Sequence, residues 1–189
     1  MSVESLHAST VELLTRWTAP SIEQDVLRHT MLAFLGSAPR GCLREWVPGH
    51  ITASAIVFNA ARTHVLLTLH PRVGKWLQLG GHCEESDADI AAAATREARE
   101  ESGIADLPPV RALARITTHP ITCSLGVPTR HLDIQFVAVA ADTGDLLPTI
   151  ERSAESVDLG WWPIDNLPAD TELPGIADLI AAGVAALDN

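Results

Sequence analysis

The 189-residue chain has three cysteines, no tyrosine and few cationic residues. No apolar run approaches the roughly 20 residues needed to span a bilayer. Cys42, Cys83 and Cys123 are odd in number, widely spaced and form no C-x-x-C pair, which argues against a disulfide framework and against a structural zinc site. Positive charge is scarce: 13 Lys and Arg stand against 24 acids, a net charge of −11. Since a phosphate backbone is held mainly by Lys and Arg, long nucleic acid is excluded as a partner. A small phosphorylated ligand would need a cation between its charges and those of the protein. The first 20 residues carry Glu4, His7, Glu12 and Arg16 where a signal peptide is apolar, so the expectation is a cytoplasmic protein with reduced thiols and no membrane contact.

Hydrophobic residues make up 47% of the chain, enough for a globular core and too many for disorder. Residues 1 to 37 read as helical. Val11, Leu14 and Thr18, then Val26, Leu27, Met31, Leu32 and Leu35, recur at helical spacing, and Pro20-Ser21 divides two segments with Ser21 as the second N-cap. Pro39 to Gly49 reads as a linker. Thr52 to Phe58 and His64 to Leu69 form a hairpin of buried strands, and Val110 to Thr118, Leu132 to Ala140 and Val157 to Trp162 are further strands. Thr118 to Arg130, with Pro120, Gly126 and Pro128, is expected to be a long loop. Helices are expected over Asp87 to Ser102 and Ile176 to Leu187. This order implies an α/β sandwich on a mixed sheet. A helical extension and linker cover residues 1–49, and the main domain covers 50–189.

The segment from Gly80 to Ile104 carries the chemistry. Ser86 with Asp89 gives a capping signature, Ala91 to Ala94 favour helix, and Gly103 stops it. On that helix Glu97 and Glu101 are one turn apart and Glu100 lies three residues from Glu97, so three carboxylates converge while Ile90, Ala94 and Ala98 line a core stripe. Exposed like charges repel by roughly 0.2–0.5 kcal/mol per helical pair, and a hard divalent cation with oxygen ligands reverses that sign. Magnesium suits such a set because it keeps waters and takes substrate phosphate oxygens. The Gly80-Gly81 turn lets a backbone carbonyl approach the same point. The alternative is a solvated helix face paired with Arg96 and Arg99.

Gly81, the acids that follow, Arg96-Glu97, Ala98, Glu100-Glu101, Gly103 and Ile104 together resemble the Nudix box, G-x5-E-x7-R-E-U-x-E-E-x-G-U. The lead-in from Gly74 to Gly81 and the later run from Trp161 to Pro168 are also similar to that family, and the resemblance covers about residues 50 to 170. Gly81 to Arg96 is 15 positions where the family has 14, so the first box acid falls on Asp87 counted forward and on Ala88 counted back; Asp87 is assigned. Leu79 stands where the family usually has proline.

The resemblance implies a Nudix-like α/β/α sandwich and a Mg²⁺-dependent hydrolase, with Mn²⁺ as a substitute, that cleaves a nucleoside diphosphate linked to another group. It implies a metal site of Glu97, Glu100, Glu101 and the Gly81 carbonyl, with Arg96 orienting a box carboxylate. Glu155, ahead of the Trp161-Trp162 strand, lies where many members place a further metal ligand or general base; the alternative is an exposed loop acid. The absence of tyrosine fits poorly with diadenosine polyphosphate hydrolases, which use a downstream Tyr. Two rivals are a nucleotide-binding sensor of the same fold and an isopentenyl diphosphate isomerase-like enzyme using Cys83.

Other candidates come from residue chemistry. Trp76 would stack on a base, with core burial as the alternative. Arg130 would grip a phosphate, and Asp133 would fix His131. Glu84 would reach metal or solvent. His82 and Cys83 border the site without metal-ligand spacing. The N-terminal helices would cap the cleft, form a homodimer interface or extend the core.

Overall fold

The computed structural model describes residues 3–122, 126–142, 144 and 147–188. Cys123 lies outside them. Helices α1 (Val3–Arg16) and α2 (Ile22–Ser37) precede strands β1 (His50–Phe58), β2 (His64–Leu69), β3 (Trp76–Leu77) and β4 (Leu79–His82). Helix α3 (Ile90–Ser102), strands β5 (Ala112–Thr122), β6 (Pro128–Val139) and β7 (Asp158–Pro163), and helix α4 (Gly175–Asp188) follow. No helix among the described residues is long and apolar enough to cross a membrane.

β1 is the hub of a mixed sheet in the order β3-β2-β1-β6-β5. It runs parallel to β6 along its whole length, and its other edge is shared: Val57 and Phe58 pair with β2, whereas Thr52 to Ala55 pair with β4. All nine β1 residues are buried, so the strand is covered on both faces. Ile51, Ala53, Ala55 and Val57 face one core with α3; Ile56 and Phe58 face a second core with Ile176 and Leu179 of α4. This is an α/β/α sandwich, as the sequence implies.

The N-terminal helices join the first core. Leu6, Leu14, Met31 and Leu35 are buried in the same cluster as Ile51 and Ala98. Full burial of each such side chain contributes roughly 1.5–3 kcal/mol. Ser21 caps α2 by accepting from the Gln24 amide, and the Gln24 side chain bonds both the N–H and the carbonyl of Ile116, closing part of the β5 edge. Val26, placed in the apolar stripe by its spacing, is instead 61% exposed.

Two expectations about length are corrected. The long loop from Thr118 to Arg130 is mostly strand, because β5 and β6 continue pairing out to Thr122 and Pro128. The helix expected from Asp87 begins at Ile90, where Asp89 rather than Ser86 is the cap and accepts from the Ala92 amide at 2.7 Å. The short strands β3 and β4 were not foreseen, since two to four residues carry too little periodicity to read.

Candidate active site

Helix α3 and strand β4 bring the box residues together. Ile90, Ala94 and Ala98 are buried against the sheet, which turns Glu97 and Glu101 toward β4 and leaves Glu100 on the outer side. Gly103 ends the helix with φ 68°, the left-handed conformation that glycine adopts without strain. Gly81 is required by contact: a Cβ there would sit 2.7 Å from the Glu97 carboxylate. Gly80 combines φ +154° with a neighbour, Ser54 Cβ, 2.4 Å from where its own Cβ would be. The backbone of β4 therefore passes directly against the Glu97 carboxylate.

Arg96 organises the acids. Its Nε and Nη2 donate to the two oxygens of Asp87 at 3.0 and 3.1 Å, a bidentate grip, and Nη2 also donates to the His82 carbonyl at 2.9 Å. Nη1 donates to Glu97 at 3.0 Å and to Glu100 at 3.1 Å. Asp87 is 5% exposed and accepts from the Glu84 amide as well, so the carboxylate opposite Arg96 belongs to Asp87 and not to Ala88. Burial works against the Arg96 charge, but Asp87 and Glu97 outweigh it and raise its pKa.

Glu101 accepts from the Gly80 amide at 3.0 Å. Burial raises the pKa of Glu97 and of Glu101 to about 7, and the charges of Glu100 and Glu155 push both in the same direction. Arg96 offsets part of this for Glu97, and the Gly80 N–H part of it for Glu101. Glu155 thus stands close enough in the exposed loop before β7 for its charge to be felt at both sites. Glu84 is exposed, 4.0 Å from Arg96 Nη1.

Other expected residues lie elsewhere. Trp76 is 8% exposed and packs edge-to-face on Trp162, ring centroids 5.3 Å apart, within the second core. This is the core packing weighed as the alternative to stacking on a base. Arg130 lies near the start of β6 with Nη1 3.5 Å from Thr118 Oγ1. Asp133 does not hold His131: it accepts from Thr52 at 2.9 Å, Ser54 at 2.7 Å and Gln135 at 3.0 Å. Those residues, with Gln78, form a buried polar floor beside β4 that sequence reading missed. Its only sequence signal is the alternation of Thr52 and Ser54 along β1. Cys83 is buried, and burial drives its thiol pKa well up.

Three histidines border this floor. Burial lowers the pKa of His50, of His82 to about 4, and of His131 to about 3, and for His82 and His131 the neighbouring histidines add to the effect.

The NUDIX domain family model matches residues 48–182. The chain belongs to the Nudix hydrolase family. Among solved structures it is similar to the E. coli dihydroneopterin triphosphate pyrophosphohydrolase, at 18% identity with TM-score 0.53, covering 74% of this chain and 96% of that one. A C. elegans Ap4A hydrolase matches at 18% identity and TM-score 0.52, over 71% of this chain and 95% of the other. A NUDIX hydrolase from Nitrosomonas europaea matches at 25% identity and TM-score 0.50, over 73% and 93%. No curated protein matches the sequence.

Proposed function

We propose that this Nudix protein is a magnesium-dependent pyrophosphohydrolase that cleaves a nucleoside diphosphate linked to another group, at a centre formed by Glu97, Glu100, Glu101 and the Gly81 carbonyl. The observation that carries this reading is the approach of half-buried Glu97 and Glu101 to the two glycines of β4, whose positions reject a Cβ. Two half-buried carboxylates, of which Glu97 is the one that Arg96 reaches, crowd like charges together at a cost that a bound cation would relieve. Carboxylate and carbonyl oxygens beside open solvent are the donors magnesium takes while keeping its waters. Bound magnesium would supply charge neutralisation of the diphosphate and a water of lowered pKa.

The chain's own residues do the rest. Glu97 and Glu101, with the more exposed Glu100, would hold the ion. Arg96, tied down by Asp87, fixes the Glu97 and Glu100 oxygens from behind, as an outer partner orients a ligand. Glu155 would be the candidate to accept the proton of the attacking water, a role supported by the effect of its charge on Glu97 and Glu101. An isomerase reading that uses Cys83 is disfavoured, because a buried thiol with a raised pKa is a poor acid or nucleophile at neutral pH.

The test is turnover of a panel of nucleoside diphosphate derivatives with Mg²⁺ or Mn²⁺. Glu101→Gln should lower kcat by at least ~100-fold, the scale of losing one electrostatic group in an active site, while the circular dichroism spectrum is retained. Wild-type rates in that variant, with Mg²⁺ still required, would refute the assignment.

A further inference from the structure

Three strands deliver one histidine each to a single point on the polar side of the sheet. His50 opens β1, His131 is its direct partner in the parallel β1–β6 pairing, and His82 closes β4 opposite Thr52. The ring centroids are 4.9 Å apart for His50 and His131, 5.1 Å for His50 and His82, and 5.2 Å for His82 and His131. One ring nitrogen from each histidine lies within 4.8 Å of the other two. Nε2 of His50 and Nε2 of His131 are both buried without a hydrogen-bond partner, and His50 is 1% exposed. A buried polar atom left unpaired costs roughly 1–3 kcal/mol. Two such atoms in one cluster call for an electrophile between them.

We propose that His50, His82 and His131 form a three-histidine site for a borderline divalent transition metal, zinc foremost, separate from the carboxylate site on α3. Imidazole nitrogens favour zinc and its neighbours over magnesium, which selects oxygen. Three histidines and one open position make a familiar four-coordinate zinc set. Tetrahedral Zn–N bonds of about 2.0–2.1 Å place the nitrogens ~3.4 Å apart, so side-chain rotation must draw the rings in by about 1 Å. His50 is already turned for this: its Nδ1 lies 3.4 Å from the Trp46 carbonyl, which leaves Nε2 toward the cluster. The Asp133 carboxylate accepts from Thr52, Ser54 and Gln135, so the ring of candidate donors is nitrogen alone. The exposed His119 stacks edge-on against His131 at 5.2 Å and marks the solvent side.

Such a metal would staple β1, β4 and β6 together at one end. It would thereby fix β4, which carries Gly80 and Gly81 and whose His82 carbonyl receives Arg96. The site does not depend on the hydrolase reading and survives its failure.

Cobalt(II) absorption tests it. The full chain, stripped of metal and held in excess Mg²⁺ to fill oxygen sites, is titrated with Co²⁺ and then with Zn²⁺. The expected result is one equivalent of intense tetrahedral d–d absorption, bleached by Zn²⁺. His82→Ala and His131→Ala should each weaken Co²⁺ uptake by more than ~10-fold, at least the loss that even an outer partner of a ligand causes, while Glu101→Gln leaves the bands in place. The wild-type measurement needs no variant to fold. Its failure to give tetrahedral bands, or bands lost in Glu101→Gln but kept in both histidine variants, would overturn the proposal.

Discussion

The two polar clusters that meet at β4 differ in charge, in donor atom and in how they are assembled. On the α3 side, carboxylates from positions 87 to 101 crowd together, and Arg96 bridges several of them. On the sheet side, uncharged imidazoles from positions 50, 82 and 131 meet with two ring nitrogens unpaired. The first cluster offers hard anionic oxygens, the donors that magnesium prefers; the second offers softer neutral nitrogens, the donors that zinc prefers. If both proposals hold, one strand borders two sites that do not compete for the same ion.

The contrast is broken most severely at Arg96. Arg96→Ala should destabilise the fold by about 3–5 kcal/mol, because it strands the buried Asp87 carboxylate without its partner. Urea denaturation measures this, and a loss under 1 kcal/mol would mean that the acids do not depend on Arg96. A similar loss, about 2–5 kcal/mol, is expected for Leu14→Ala or Leu35→Ala, since both side chains are fully buried in the core shared with α3. Little change in urea midpoint would show that the N-terminal helices are peripheral to both clusters.

Next in size is a pH effect in which the two clusters act in opposite directions. Glu97 and Glu101 have folded pKa values of about 7, above the ordinary 4.5. At these two sites the folded state therefore binds more protons than the unfolded chain, and their contribution to stability falls as pH rises from about 4.5 to 7, whereas the histidines, with folded pKa values lowered from 6.5, add stability as pH rises toward 6.5. Comparison with Glu101→Gln isolates the acidic part: without metal, the thermal midpoint of the variant should gain on that of the wild type as pH rises through this window, and Mg²⁺, which binds the deprotonated carboxylates and releases protons, should shrink that gain. A difference between the two proteins that does not change with pH in the absence of metal would contradict the raised carboxylate pKa values. The smallest effect belongs to the cap: Asp89→Ala should cost about 0.5–2 kcal/mol by freeing the Ala92 amide, read from the urea midpoint.

The two clusters were unequally legible in the sequence, for a physical reason. Glu97, Glu100 and Glu101 lie within five residues on one helix, so the helical repeat alone places them together, and Gly103 marks where that helix ends. The histidines are separated by 32 and 49 residues, and only strand pairing across β1, β4 and β6 unites them. No local period encodes that meeting. The buried strand β1 was visible as an apolar and β-branched run, yet β4 was hidden by its two glycines. The site of Trp76 was undecided by residue type, since an indole serves a core or a ligand equally; its packing against Trp162 was not legible locally. The extra residue before Arg96 left Asp87 and Ala88 both open in the count, and the spacing could not show that Arg96 grips Asp87 with two hydrogen bonds.

Calorimetric titration with Mg²⁺, in the presence of a non-cleavable diphosphate analogue, tests the gathering of Glu97, Glu100 and Glu101 around a hard cation most directly. Saturable uptake by the wild-type protein, weakened at least ~10-fold in Glu101→Gln, is the predicted outcome. Equal uptake by the two proteins, or none by either, would contradict it.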